Sequence, residues 1–223
     1  MRTFDKIYMM IVICITTLHS FGQSFTPAVR QFITDSAKII ALVDAKIIDG
    51  TGAPSKARQT IIIINGRIAQ IGKLKDITIP KDADVINCAG KTIIPGMVML
   101  HEHLFYTRFM MGNIFNLAEM PNSFPRMYLA GGATTIRTAG SIEPQTDLNI
   151  KQMIAEGKLI GPDIDVTAPY LERKGWDIPS LNIIKDSADA AATVNFWADR
   201  GCTSFTMYAC NKGRPDSRCT RSA

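Results

Sequence analysis

The rhythm of the chain changes at Pro95-Gly96, and that change limits the folds open to it. Before it, short apolar runs alternate with tight-turn residues. IIALVDAKIID is followed by the turn Gly50-Thr51-Gly52-Ala53-Pro54, TIIII ends in Asn65-Gly66, and RIAQIG comes next. Asn-Gly between apolar runs is the strongest short hairpin signal. Lys91 to Ile94 reads as one more short strand, so residues 38–94 are expected to form a small all-β unit. After Pro95 strands alternate with helices. The strands are expected at Val98 to Leu104, Ala133 to Thr138, Asp163 to Ala168 and Thr203 to Tyr208. The helices are expected at Met120 to Ala130, Leu148 to Lys158 and Ser187 to Arg200, closed by Gly131-Gly132, Gly161-Pro162 and Gly201. Asp147 is the expected N-cap of the second helix and Asp186 or Ser187 that of the third. Leu148, Met153 and Ile154 fall on one face of the second helix. Such alternation predicts parallel βα units in an α/β fold. Four units are half of a (β/α)8 barrel, which typically needs about 250 residues.

A barrel closed by hydrogen bonds on every strand needs all its strands. The stretch 95–209 is therefore expected to be an incomplete (β/α)8 TIM-barrel, its first ~4 βα units. The tail 210–223 has no apolar periodicity where another helix is due. It is expected to be aberrant, as from out-of-frame translation, or a disordered terminus.

The two ends carry further signals. Arg2 and Lys6 precede the apolar run Ile7 to Leu18, and Ser20-Phe21-Gly22 offers small residues where a signal peptidase reads. Residues 1–22 are thus expected to be a signal peptide, His19 among them, and the protein to be exported, periplasmic or extracellular. The run is too short for a comfortable membrane span. The net charge of +5 is largely local, because Lys212, Arg214, Arg218 and Arg221 face only Asp216 in the tail. No basic stripe with interleaved aromatics remains to argue for nucleic acid. Cys88, Cys202, Cys210 and Cys219 contain no CxxC pair, which argues against a cysteine zinc site; their spacing leaves disulfide pairing open.

Residues 95–106 read PGMVMLHEHLFY, and no histidine follows. On an extended strand His101 and His103 share one face. Two imidazoles there can hold one edge of a divalent cation. A hydrolytic metal site usually takes about three protein ligands and an open position.

This layout resembles the N-terminal half of the metal-dependent amidohydrolase superfamily, closest to its imidazolonepropionase-like and prolidase-like members. The resemblance is carried by VDAKIIDGTG, IIINGRIAQIG, VINCAGKTIIPGMVMLHEHL, GGATTIRTAG, IAEGKLIGPDIDVTAPYL and WADRGCTSFTMY. It implies that residues 38–94 are the N-terminal part of a small β-sandwich. It implies that His101 and His103 are the first-strand metal ligands, at the strand end where barrel sites lie. It implies divalent metal, with zinc expected, in a mono- or binuclear site, and hydrolysis of carbon–nitrogen bonds by metal-activated water. The substrates implied are small amides, cyclic or Xaa-Pro dipeptides. Binuclear relatives carry a carboxylated lysine on the fourth strand, where TSFTMY has Thr206, and take later histidines and an aspartate from strands absent here. The chain is therefore expected to be truncated and inactive alone; the alternative is a non-catalytic metal-binding fragment that folds only with a partner.

Tyr106, Arg137 and Tyr170 follow or end strands and are the expected substrate-side residues, with an ion-pair role the alternative for Arg137. Glu102, on the opposite strand face, is expected to be structural. Trp176 and Trp197 are expected to be core or loop anchors. Exposed strand edges on a half barrel would favour self-association.

Overall fold

The computed structural model describes residues 25–110, 114–172 and 182–207. The expected signal segment, the tail 210–223, Trp176, Cys210 and Cys219 lie outside those residues. After a single helical turn, α1 (Pro27–Arg30), the chain enters β1 (Ile39–Ile47), β2 (Lys56–Ile64), β3 (Arg67–Lys73), β4 (Asp84–Asn87) and β5 (Thr92–Ile93). These form one five-stranded sheet in the order β3-β2-β1-β4, with β5 also on β1. The Asn65-Gly66 turn joins β2 and β3 as expected. Both residues have positive φ, 50° and 74°, as the tight two-residue hairpin turn requires. The sheet is mixed, since β4 and β5 run parallel to β1. It is a single layer; the second layer of a sandwich is not among the described residues.

The second half begins with β6 (Met97–Glu102), followed by β7 (Phe105–Met110) and β8 (Ile114–Glu119). The last two pair as an antiparallel hairpin, in register from Phe105 opposite Glu119. No element is expected there from the sequence. Helix α2 (Phe124–Ala130) leads into β9 (Ala133–Thr138), and α3 (Pro144–Ala155) into β10 (Asp163–Asp165). Two-residue strands β11 (Leu171–Glu172) and β12 (Asn182–Ile183) pair in parallel before α4 (Ser187–Ala198). Strands β10, β9 and β6 form a parallel sheet in that order. Thr203 to Met207 runs beside it through isolated bridges, Thr167 to Ser204 and Leu171 to Met207. The expected fourth strand is thus a set of bridges, and the expected third strand is confined to Asp163–Asp165.

The core lies between the parallel sheet and the helices. Leu104, Ile136, Ile150, Ile164, Val166 and Ala168 are buried together, with Trp197 and Phe205 packed against them. Burial of each large aliphatic contributes about 1.5–3 kcal/mol. Trp197 is a core anchor, as expected. Helix α3 differs from expectation at its start. Pro144, pre-set for helical φ and needing no donor, occupies the first turn behind Glu143, and Asp147 lies one turn inside. Ile150 is buried and Leu148 and Ile154 are half-buried against the core, while Met153 is exposed. Helix α4 begins where expected, with the Asp186 carboxylate accepting the Asp189 N–H at 2.9 Å.

Candidate metal site

His101 closes β6 with Glu102, and His103 follows at once. Strict alternation does not hold along this strand. Met99 pairs with Ile136 but Glu102 pairs with Thr138, so three steps on β6 meet two on β9. Such a bulge re-aims side chains and is common beside functional sites. The two imidazoles are adjacent all the same, with ring centroids 5.5 Å apart and planes at 86°. Two imidazoles sharing one tetrahedral zinc at ~2.0 Å bonds would place their centroids roughly 5 Å apart. The spacing of the two rings is thus close to that of two imidazoles on one cation. Among the described residues no group of three His, Cys, Asp or Glu side chains is arranged to hold a cation.

His103 is built into its surroundings from three sides. The Tyr128 hydroxyl of α2 accepts the His103 N–H at 3.3 Å and donates to its carbonyl at 2.8 Å. The Phe105 ring lies 4.7 Å from the imidazole, centroid to centroid. The Tyr170 hydroxyl is 3.5 Å from His103 Nδ1. Burial pushes the His103 pKa below the ordinary histidine value, aided by the charge of His101 and opposed by a hydrogen bond to the Gly140 backbone and by Glu102. The imidazole is thereby biased to the neutral form that binds metal. Burial, and then the nearby Glu102 carboxylate, push the Tyr128 phenol up to about 12, so it stays a donor. Glu102 thus faces α2, and its carbonyl accepts the Ala139 N–H at 2.9 Å.

Tyr170 is only 6% exposed, and its ring lies where a side chain on Gly140 would be. Gly140 has φ +94°, and a Cβ there would overlap the Tyr170 ring. The loop carrying Gly140 is held by two buried hydroxyls. Thr138 Oγ1 and Thr167 Oγ1 are 2.9 Å apart; Thr167 Oγ1 accepts the Gly140 N–H, and Thr138 Oγ1 accepts the Thr167 N–H, both at 2.8 Å. The sequence offers Thr138 only as the end of a strand, and Tyr128 carries no site signal there. Gly140 carried the only available signal, a glycine just past a strand.

The structure brings His101, His103 and Tyr170 together. Arg137 is engaged elsewhere, donating to Ser204 Oγ at 2.8 and 3.1 Å and lying 4.0 Å from the Asp165 carboxylate. Asp165 also accepts the Thr203 hydroxyl. Arg137 therefore ties three neighbouring chain segments by an ion pair and hydrogen bonds. Tyr106 is 55% exposed on β7, opposite Ala118. Thr206 gives its carbonyl to the Leu171 N–H at 2.9 Å. Cys88 and Cys202 are buried free thiols. Among the described residues no helix is long and apolar enough to cross a membrane.

No family model matches the chain. A stretch of 48 residues is 50% identical to imidazolonepropionase of Vibrio cholerae, over 22% of this chain and 11% of that protein. Another match, 32% identical over 97 residues, is to enamidase of Eubacterium barkeri, over 43% of this chain and 24% of that protein. A 47-residue stretch is 47% identical to dihydroorotase of Mycobacterium tuberculosis, over 21% of this chain and 10% of that one. Among solved structures, a Xaa-Pro dipeptidase with methionine bound in its active site superposes with a TM-score of 0.61 at 19% identity, over 76% of this chain and 46% of that one. Ochratoxinase of A. niger gives 0.60 at 16% identity, over 78% and 47%. The chain thus spans at most about a quarter of these curated relatives and less than half of these structures. The structural likeness shows a shared fold. Over part of its length, the chain is related to the amidohydrolase superfamily.

Proposed function

We propose that this chain carries the first-strand half of a metal-dependent hydrolase site for carbon–nitrogen bonds, with a small cyclic amide or an Xaa-Pro dipeptide as the substrate class. The observation that carries this reading is the imidazole pair at chelating separation, with Tyr170 against Nδ1 of His103. His101 and His103 would hold the cation, with zinc preferred because nitrogen donors in a tetrahedral arrangement suit it. Bound there, a divalent cation supplies Lewis-acid polarisation of a carbonyl and lowers the pKa of water. Tyr170 orients His103, Tyr128 fixes the His103 peptide, and Tyr106 stands at the rim on the substrate side. Arg137, held by Ser204 and Asp165, positions the neighbouring strand ends rather than the substrate.

Two donors leave a site that wants about three protein ligands unfinished. The chain alone is therefore assigned no turnover. Residues 38–94 are assigned to the N-terminal part of a β-sandwich, 95–209 to the opening βα units of a barrel, and 1–22 to an export signal. The test is direct: the purified, zinc-loaded chain is assayed against an Xaa-Pro dipeptide and a cyclic amide. Turnover would remove the claim of inactivity, and absence of bound zinc would remove the hydrolase site itself.

A second reading is a non-catalytic metal-binding module completed by a partner chain. It is favoured by Val98 and Leu100 on β6, 61% and 66% exposed at an edge of the parallel sheet. Parallel sheets are ordinarily covered on both faces, and open edges template association. Light scattering separates the readings, since a module of this kind is not monomeric in solution.

A further inference from the structure

Three chain segments converge on His103. One is the end of β6, with Glu102 and His103; the second is the end of β9 and the turn from Thr138 to Gly140; the third follows β10 and carries Thr167 and Tyr170. Backbone joins the first to the second. Glu102 pairs with Thr138, and the Ala139 N–H donates to the Glu102 carbonyl at 2.9 Å. Between the second and the third, the Ser141 N–H donates to the Ala168 carbonyl at 3.2 Å, and two threonine hydroxyls add a side-chain link.

Thr138 and Thr167 are both 0% exposed. Their Oγ1 atoms lie 2.9 Å apart, so one hydroxyl donates to the other. Each oxygen also accepts a main-chain N–H at 2.8 Å, Thr138 from Thr167 and Thr167 from Gly140. Branching at Cβ leaves each side chain few rotamers, so the backbone dictates where the hydroxyls point. A buried N–H deprived of its acceptor bears the full cost of desolvation. The Gly140 peptide is thereby held in one orientation, at φ +94°. The Tyr170 ring packs against that glycine where a side chain would otherwise stand, and its hydroxyl lies 3.5 Å from His103 Nδ1.

We infer that Thr138 and Thr167 are positioning residues for the His103 imidazole. Their hydroxyl pair sets the Gly140 backbone, Gly140 sets the Tyr170 ring, and Tyr170 holds Nδ1. Both threonines act through these two residues and not on a cation. The consequence for zinc rests on the hydrolase reading; the hold on the ring does not. A pair that only stitched strands together would affect stability and leave the imidazole as it was.

The experiment uses the intact chain and two substitutions. Thr167→Val keeps the branched shape and removes the acceptor of the Gly140 N–H; Thr167→Ser keeps the hydroxyl. Imidazole nitrogen shifts of the metal-free, neutral His103 report its tautomer, which the partner of the other nitrogen sets. One tautomer is expected in the parent and an average of the two in Thr167→Val. Zinc affinity, from chelator competition, is expected to fall on the order of tenfold in the same variant. Thr167→Ser is expected to restore both. A folded Thr167→Val with the parent's imidazole spectrum overturns the role. A serine variant that behaves like the valine variant also overturns it, because shape and not the hydroxyl would then be responsible. Hydrogen exchange of the parent needs no variant to fold: a protected Gly140 amide supports the clamp, and one that exchanges like an exposed loop overturns it. If the parent binds no zinc, the hydrolase reading falls, and the imidazole spectra alone decide the positioning role.

Discussion

The Tyr170 hydroxyl lies 3.5 Å from Nδ1 of His103, across 67 positions of sequence. Groups that hold the second nitrogen of a ligating histidine fix its orientation, and their loss typically costs 10–100-fold in metal affinity. Tyr170→Phe keeps the ring against Gly140 and removes only the hydroxyl. It is expected to weaken zinc binding roughly tenfold while leaving the thermal midpoint nearly unchanged. Competition with a chromophoric chelator measures the first, and a melting curve the second.

Gly140→Ala attacks the same relationship from the opposite side. The residue holds φ +94°, and the new methyl would overlap the Tyr170 ring. Backbone strain of this kind costs of the order of 1–3 kcal/mol. Denaturant unfolding should register that loss, and zinc affinity should fall with it as Tyr170 is displaced. Equal stability of the variant and the parent would show that the loop is not packed as described.

His103 should titrate below the ordinary histidine value, because burial disfavours its cation. The sign for stability follows. The folded imidazole binds fewer protons than the unfolded one, so its contribution is complete above the unfolded pKa of about 6.5 and is lost as pH falls toward the lower folded value. An NMR titration of the imidazole protons reads this directly. A midpoint at the ordinary value would mean that the ring is open to solvent, and one above it that the ring is paired with an acid.

Asp186 caps α4 through the Asp189 N–H at 2.9 Å. Asp186→Ala is expected to cost about 1 kcal/mol, and Asp186→Asn considerably less, since asparagine caps as well. Urea midpoints of the two variants provide the comparison.

Local chemistry made some of this legible in the sequence. Asn65-Gly66 marked the β2–β3 turn because positive φ at two successive positions leaves few residue choices. Asp186 marked the start of α4, and Pro95-Gly96 the change from a strand-only stretch to alternating strands and helices. The start of α3 was missed because Asp147 looked like a cap, whereas Pro144 was the better signal. The hairpin of β7 and β8 was missed because its length fits a connection and its residues look apolar without a clear period. The β6 bulge is set by pairing to β9, and no residue of β6 announces it. The same holds for Tyr128 and Gly140. They meet His103 only through tertiary packing, which single-chain periodicity cannot reach.

Zinc bound per chain, measured by elemental analysis after equilibrium dialysis of the intact protein and of His101→Ala and His103→Ala, tests the central claim most directly. The account predicts zinc on the parent chain and a loss on the order of tenfold or more in affinity for either variant. Both variants retaining the parent's zinc would contradict it, because the metal would then be held somewhere other than between these two imidazoles.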